Sequence, residues 1–241
     1  MTRFCDLHCH ILYGVDDGAQ TVEEARALVD GAYRSGTRTI CFTPHYNPLR
    51  ELSSAGAEET FRTFSTELKE QYPDLTLCLG AEILYHQRIS ASLARGVCRP
   101  LNGTRYLLVE FLPDDDGDYI VSSLEGIRAS GYTPILAHAE RYNSFLRRPK
   151  RVPELAEKGI PIQLNVRSVT GGNGRKVKQF CTRLLKKGVV AAIASDAHDP
   201  DYSDARLDEG YREVARKFGA DYADTLFWKM PRALLGLDEA D

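Results

Sequence analysis

Seven short runs rich in valine, isoleucine and leucine recur along the chain, separated by helical patterns. Strands are expected over Phe4–Leu7, Arg38–Thr43, Leu75–Glu82, Arg105–Phe111, Thr133–His138, Ile160–Asn165 and Val189–Ser195. Helices are expected over Thr21–Ser35, about 57–71, His86–Arg95, Tyr119–Ser130, Val152–Lys158 and Lys176–Lys187, with two more closing the chain. The first helix is the best marked. Thr21 and Glu24 form a capping box, Ala25, Leu28, Val29 and Ala32 make an apolar stripe, and Gly36 stops it. Strands this apolar, alternating with helices, predict a parallel sheet covered on both faces. Seven such units in 241 residues fit one α/β domain, residues 1–241, folded as a closed TIM-like (β/α)7 barrel of seven strands rather than eight. The competing arrangement is an open doubly wound sheet, but no G-x-G-x-x-G or Walker loop follows any strand.

The polar residues at the strand ends say more than the strands do. Of six histidines, His8, His10, His45, His138 and His198 fall at strand ends, and only His86 does not. The same rim receives Asp16 and Asp17 after the first strand, Glu82 after the third, Glu110 after the fourth, Asn165 after the sixth and Asp196 after the seventh. Barrel active sites lie on this rim. One histidine at a strand end is more often a hydrogen-bonded structural group than a ligand. Nine convergent candidates (His8, His10, Asp17, His45, Glu82, Glu110, His138, Asp196 and His198) are costly to bury unless they are paired or bind metal, and their number on seven strands points to a polynuclear metal site. Mixed nitrogen and oxygen donors suit manganese, zinc or iron.

Asp17, Glu82, Glu110 and Asp196 would by themselves repel a phosphate. Three divalent ions reverse that sign, and Arg141, three residues after His138, offers a fork matched to phosphoryl oxygens. A hydroxide held between metals is a nucleophile at neutral pH, so the rim predicts metal-assisted phosphoester hydrolysis. None of the six cysteines is followed six residues later by arginine, so the loop of cysteine-nucleophile phosphatases is missing. With no C-x-x-C pair, these cysteines are expected as reduced, mostly buried thiols. A net charge of −3 and a pI near 6.1 argue against a nucleic-acid partner. No apolar run reaches the ~20 residues of a membrane span, and the N-terminus has no signal-peptide pattern, so a cytoplasmic location without membrane insertion is expected.

These residues resemble the PHP (polymerase and histidinol phosphatase) family. They are similar in particular to its bacterial protein tyrosine phosphatases of capsular and exopolysaccharide clusters. DLHCHILYGVDDGA, TRTICFTPH, LGAEI, LNGTRYLLVEF, GYTPILAHAERY and IASDAHD match that branch in order and spacing over nearly the whole chain. The resemblance implies a distorted seven-stranded barrel holding three divalent ions, manganese first among them. It implies that His8, His10, Glu82 and Asp196 hold one ion, that Glu82 bridges to a second shared with Glu110 and His138, and that Asp17, His45 and His198 hold the third. Arg141 then matches the family's substrate-binding arginine, and Arg206 the arginine that follows the Asp-x-His motif in many relatives. The implied substrate is a phosphotyrosine-bearing protein, the tyrosine-rich tail of a kinase controlling polysaccharide export.

Three other readings compete: a histidinol-phosphatase-like enzyme for small molecules, a metal-dependent amide or ring hydrolase, and a binding protein with a structural metal. Elsewhere, His86 is expected at the surface and Asp114-Asp115-Asp116 in a solvated loop. The cluster Arg147, Arg148, Lys150 and Arg151 is expected as a solvated face, and Gly171–Gly174 as a flexible turn.

Overall fold

A computed structural model describes residues 2–47, 54–199 and 206–237. The strands are β1 (Phe4–Cys9), β2 (Thr37–Phe42), β3 (His45–Tyr46), β4 (Thr76–Leu79), β5 (Glu82–Leu84), β6 (Tyr106–Glu110), β7 (Thr133–Leu136), β8 (Gln163–Asn165) and β9 (Ala192–Ala194). All their pairings are parallel. Helices α1 (Val22–Arg34), α2 (Ser54–Gln71), α3 (Ile89–Ala94), α4 (Gly117–Ala129), α5 (Asn143–Arg147), α6 (Arg151–Glu157), α7 (Val166–Thr170) and α8 (Arg175–Lys186) fill the crossovers. After β9 come α9 (Leu207–Phe218), then α10 (Ala220–Asp224) and α11 (Met230–Leu234), joined by a π-helical turn. This is the mixed α/β arrangement with buried parallel strands that the alternation predicts; β1 is buried at every position.

Local signals account for the helices. The capping box forms: Thr21 Oγ1 accepts from the Glu24 amide at 3.2 Å, and Glu24 Oε2 accepts from the Thr21 amide at 3.2 Å. The buried face of α1 is Ala25, Leu28, Val29 and Ala32. Asp114–Asp116 is more than a solvated loop. Asp116 caps α4, Asp115 accepts from the Leu112 amide and Asp114 accepts from Asn143.

The second pass gains a segment, β3, beyond the expected Arg38–Thr43, and the expected Leu75–Glu82 splits into β4 and β5, which turns seven passes into nine segments. The second pass breaks at Thr43-Pro44, where proline has no N–H to give a ladder. The third breaks at Gly80-Ala81: the Gly80 amide donates to Phe42 O at 2.8 Å, and the Glu82 amide moves on to Pro44 O at 3.2 Å. Any side chain at Gly80 would meet Leu101, whose Cδ2 lies 2.6 Å from the position of a Cβ. The breaks bring His45 directly opposite Glu82 in the register of β3 and β5.

The pairing is therefore divided among three sheets, ordered β1-β2-β4, β3-β5-β6-β7 and β8-β9, rather than one continuous closed ladder. A bridge between Leu136 and Ile162 links the second sheet to the third. The Asp196 amide donates to His8 O and the His10 amide to Ala197 O, both at 2.9 Å, linking the third to the first. One buried cluster sits among the strands, from Cys5, Leu7, Cys41, Cys78, Leu108, Ile135, Ala192 and Ala194 down to Leu234 and Leu235 of the last helix. Two larger clusters lie between strands and helices.

The loop after β1 passes so close to the strand that a Cβ on Gly18 would lie 1.9 Å from His10 O. Gly18→Ala should therefore lower stability by ~1–3 kcal/mol, the cost of overpacking. Gly126, exposed within α4 and with open space around it, should behave oppositely, Gly126→Ala gaining ~0.5–1 kcal/mol. Urea denaturation of both variants checks the contrast.

Candidate metal centre

All nine residues expected as ligands come to one rim. His8, His10, Glu82, His138 and Asp196 are buried there, while Glu110, His45, His198 and Asp17 are more open, Asp17 most of all. Three groups have donor atoms close enough to share an ion: His8, His10, Glu82 and Asp196; His45, Glu82 and Glu110; and His10, Asp17, His45 and His198. The first matches the expected set. The second and third differ in detail, because His10 reaches the outer group and His45 faces two groups at once. Its Nδ1 is 3.1 Å from Glu82 Oε2 and from Glu110 Oε1, and its Nε2 is 3.4 Å from Asp17 Oδ1. His138 faces the same two carboxylates, 2.7 Å from Glu82 Oε1 and 3.8 Å from Glu110 Oε2.

The donor set fits a metal on two observations. Glu82 Oε2 lies 3.1–3.3 Å from nitrogens of His8, His10 and His45, and Asp196 Oδ1 lies 3.3–3.4 Å from His8 and His10. Yet, among the described residues, both buried oxygens are without a hydrogen-bond partner. Buried acceptors left this way are expensive. Carboxylate oxygens and imidazole nitrogens that converge on a common point suit a cation.

The second observation is on the far side of each ring. His8 Nδ1 donates to Gln163 Oε1 at 3.1 Å, His10 Nδ1 to Asp16 Oδ2 at 2.8 Å, and His198 Nδ1 to the Asp196 carbonyl at 2.8 Å. His138 Nδ1 is 3.4 Å from the buried Tyr142 hydroxyl. The acceptors beside Nδ1 of His8, His10 and His198 hold a proton there, and all four contacts turn Nε2 inward, the orientation metal-binding histidines require.

Gln163 extends the arrangement. Its Oε1 also accepts from the His138 amide, its Nε2 donates to Asn165 Oδ1, and Asn165 Nδ2 donates to Asp196 Oδ2 at 2.6 Å. Asp16 likewise accepts from the His45 and Gly18 amides. Below the rim, Asp6 accepts from the amide and hydroxyl of Ser195 beside Asp196. His138 and Asp196 have φ values of +29° and +55°, unusual for residues with side chains and found where surroundings over-determine the backbone.

Charge coupling runs through the centre. Burial alone would lower the His8 pKa, but Glu82 and Asp196 push it up to about 9. His10 is raised well above the ordinary imidazole range, with burial outweighed by Asp16, Asp196 and Glu82. Despite burial, Glu82 is held well below the carboxylate range by His8 and His138, and Asp196 is lowered by His8 and His10. Ionised carboxylates compensated by imidazole protons are what a divalent cation replaces, releasing those protons.

Arg141 ends a short 3₁₀ turn after His138. Half-exposed, it donates to Asp196 Oδ2 at 3.1 Å. It borders a cavity of about 570 Å³ together with Asp17, His45, Glu110 and His138, walled by Phe111, Leu112, Pro113 and Tyr142. Arg206 does not line this cavity; its guanidinium pairs with Asp208 at 3.1–3.3 Å before α9. His86 is half-buried with its ring 5.8 Å from that of Tyr46, rather than at the surface, and belongs to no ligand group among the described residues. Sequence reasoning missed Gln163 and Tyr142 and gave Asp16 no role. Gln163 had one signal, a polar residue two positions before Asn165 within an apolar strand.

A family profile for capsular polysaccharide synthesis, CpsB/CapC, matches residues 4–236. The chain is 34% identical over 236 residues to the tyrosine-protein phosphatase CpsB of Streptococcus pneumoniae, covering 95% of this chain and 97% of that one. It is 31% identical over 218 residues to the tyrosine-protein phosphatase YwqE of Bacillus subtilis, covering 90% and 85%. It superposes with a TM-score of 0.89, at 30% identity and covering 96% and 94%, on a crystal structure from a study of YwqE and CpsB that describes them as unique metal-dependent tyrosine phosphatases. The chain belongs to the CpsB/CapC family of capsular polysaccharide synthesis.

Proposed function

We propose that this chain is a metal-dependent protein tyrosine phosphatase acting on a phosphotyrosine-bearing protein, the tyrosine-rich tail of a bacterial kinase of polysaccharide export. The observation that carries the reading is the cavity itself. Its floor is a cluster of imidazoles and carboxylates, its edge is a guanidinium, and its wall is Phe111, Leu112 and Pro113. A phenyl phosphate needs an apolar wall for the ring and cationic groups for the phosphoryl oxygens. Leu112 is 58% exposed beside an open mouth, which suits a side chain presented on a protein better than an enclosed small molecule such as histidinol phosphate. The relatives' names support the same reaction.

The ligand assignment is His8, His10, Glu82 and Asp196 for one ion; Glu82, Glu110 and His138, with His45 alongside, for a second; and Asp17, His45 and His198 for a third. Manganese suits this nitrogen and oxygen set, as do iron and zinc. Such ions would supply Lewis-acid activation of water and offset the carboxylate charge that otherwise repels phosphate. Arg141 holds two phosphoryl oxygens in its fork and keeps Asp196 oriented through its third contact. Asp16, Gln163 and Tyr142 fix the ring orientations before substrate arrives. A phenolate leaving group, with an ordinary pKa of about 10, needs little help from a general acid. Arg206 is the second candidate for the phosphoryl clamp, a role in which it would leave Asp208.

The three sheets are read as arcs of one distorted seven-stranded barrel in a single domain spanning the chain. The Leu136–Ile162 bridge and the hydrogen bonds joining Asp196 and Ala197 to β1 support this closure. A cytoplasmic location suits its buried free cysteines. No helix among the described residues is long and apolar enough to cross a membrane.

Chelation should abolish hydrolysis of a phosphotyrosine peptide and lower the melting temperature, because an ion that binds only the folded state stabilises it. Full activity in excess chelator, with no metal by elemental analysis, sinks the reading. The same assay run on histidinol phosphate and an amide panel separates it from its competitors.

The thiols take no part. Burial pushes Cys78 up to about 11 and Cys98 up to about 12, far from a thiolate at neutral pH. Each single Cys→Ser variant should therefore keep turnover within about tenfold, or ~1.4 kcal/mol. A folded variant that is dead would mean covalent chemistry.

Arg141→Ala should retain metal and fold while losing roughly 10²–10³ in turnover, the effect of removing one preorganised donor. Arg141→Lys should recover part of the loss, since an ammonium cannot match the fork. Steady-state kinetics with metal content decide this. Near-normal Arg141→Ala, with Arg206→Ala impaired, moves the clamp to Arg206.

A further inference from the structure

Charge is unevenly spread over the molecule. Residues 175–187 carry Arg175, Lys176, Lys178, Arg183, Lys186 and Lys187 and no carboxylate, in a chain whose net charge is −3. Lys178 pairs with Glu213 at 3.0 Å. The other five are exposed and, among the described residues, form no ion pair. The opposite face of α8 is buried through Phe180, Cys181, Leu184 and Leu185. Between α8 and the segment before α6 runs a groove of about 410 Å³, floored by the edges of the buried Phe180 and Leu184 and walled by Pro149 and the aliphatic stems of the cations that line it. Lys150, Arg183, Lys186 and Lys187 supply only cations around it. Arg147, Arg148 and Lys150 continue the basic surface along the chain, while Arg151 is paired with Asp118 and Glu154.

We propose that this groove docks an acidic peptide segment carrying a bulky apolar side chain, supplied by the protein whose phosphotyrosine enters the metal centre; the identity of that protein rests on the phosphatase reading. The apolar surface takes the side chain out of water while the cationic rim meets flanking carboxylates, the division of labour of a protein interface with complementary charge. A lipid surface fits less well. The feature is concave, and the large exposed hydrophobics among the described residues, Leu112, Tyr119 and Met230, lie on other elements.

The groove is also placed to act on the same substrate. Asn173 and Val177, at the start of α8, line the polar cavity beside Arg141 and Asp196, whereas Arg183–Lys187 lie at its other end. Twelve helical residues span about 18 Å, a distance that about six extended residues cover. A segment held at the groove raises the concentration of its own phosphotyrosine at the metal centre. The effect falls on KM and not on kcat.

The test uses the full chain carrying Arg183→Glu, Lys186→Glu and Lys187→Glu together, with the corresponding triple Gln variant as a milder change. Fluorescence anisotropy with a labelled, unphosphorylated Glu–Tyr copolymer should show binding that weakens with salt and by about tenfold or more in the Glu variant, less in the Gln variant. KM for the tyrosine-phosphorylated copolymer should rise about tenfold with kcat unchanged, and kinetics on p-nitrophenyl phosphate should not move. Equal copolymer binding by wild type and Glu variant overturns the proposal. So does binding to phosphatidylglycerol–phosphatidylcholine vesicles in preference to the copolymer, which would make the face a membrane contact. If no phosphate ester is hydrolysed at all, the phosphatase reading falls while the anisotropy still decides the groove.

Discussion

One buried carboxylate holds this structure to its purpose. Glu82 lies within contact of His8, His10, His45 and His138, groups delivered by three different strand passes. An ionised carboxylate removed from water costs several kcal/mol unless opposite charge surrounds it. The fold meets that demand by aiming imidazoles at it from every side. The break at Gly80, the proline at 44 and the register that sets His45 against Glu82 are the backbone's means of crowding so many donors around one point.

The surrounding hydrogen bonds make the crowding specific. Gln163 is the pivot, because one amide group takes the His8 proton and the His138 amide on its oxygen and passes its own protons toward Asn165 and Asp196. A carboxylate there would add charge to a centre already rich in it, and an apolar residue would leave two buried donors unmet. The positive φ angles of His138 and Asp196 belong to the same economy: two strained residues are held by a network satisfied on both sides.

Much of this was legible from residue types alone, because the cost of burying histidine and carboxylate at strand ends is a local fact. His8, His10, Asp17, His45, Glu82, Glu110, His138, Asp196 and His198 could be picked out one strand at a time. The role of Gln163 exists only once β8 lies between β7 and β9 and its side chain reaches His8 of β1. Asp16 and Asp17 are adjacent in the chain and similar in chemistry; only the path of the loop decides that one orients His10 and the other faces the outer imidazoles. The strand breaks escaped for a related reason. LTLCLGAE alternates as a strand should, and the interruption comes from Leu101 pressing on Gly80 from a distant part of the chain.

Those breaks divide the molecule into a base and a rim. Below them, β1, β2 and β4 share a sheet with a dry aliphatic filling closed off by the last helix. Above them, His45 and Glu82 sit on β3 and β5, segments of two and three residues in a different sheet. Hydrogen bonding does not carry continuously along either pass, so cooperativity need not either. Opening of the rim can be uncoupled from global unfolding, in the manner of separate units within one native state. Amide protons on β2 and β4 would then exchange at the rate of the whole molecule, and those on β3 and β5 at a rate set by what the centre holds. The same backbone would be a rigid scaffold below and a ligand-dependent surface above, with the boundary drawn at a proline and a glycine.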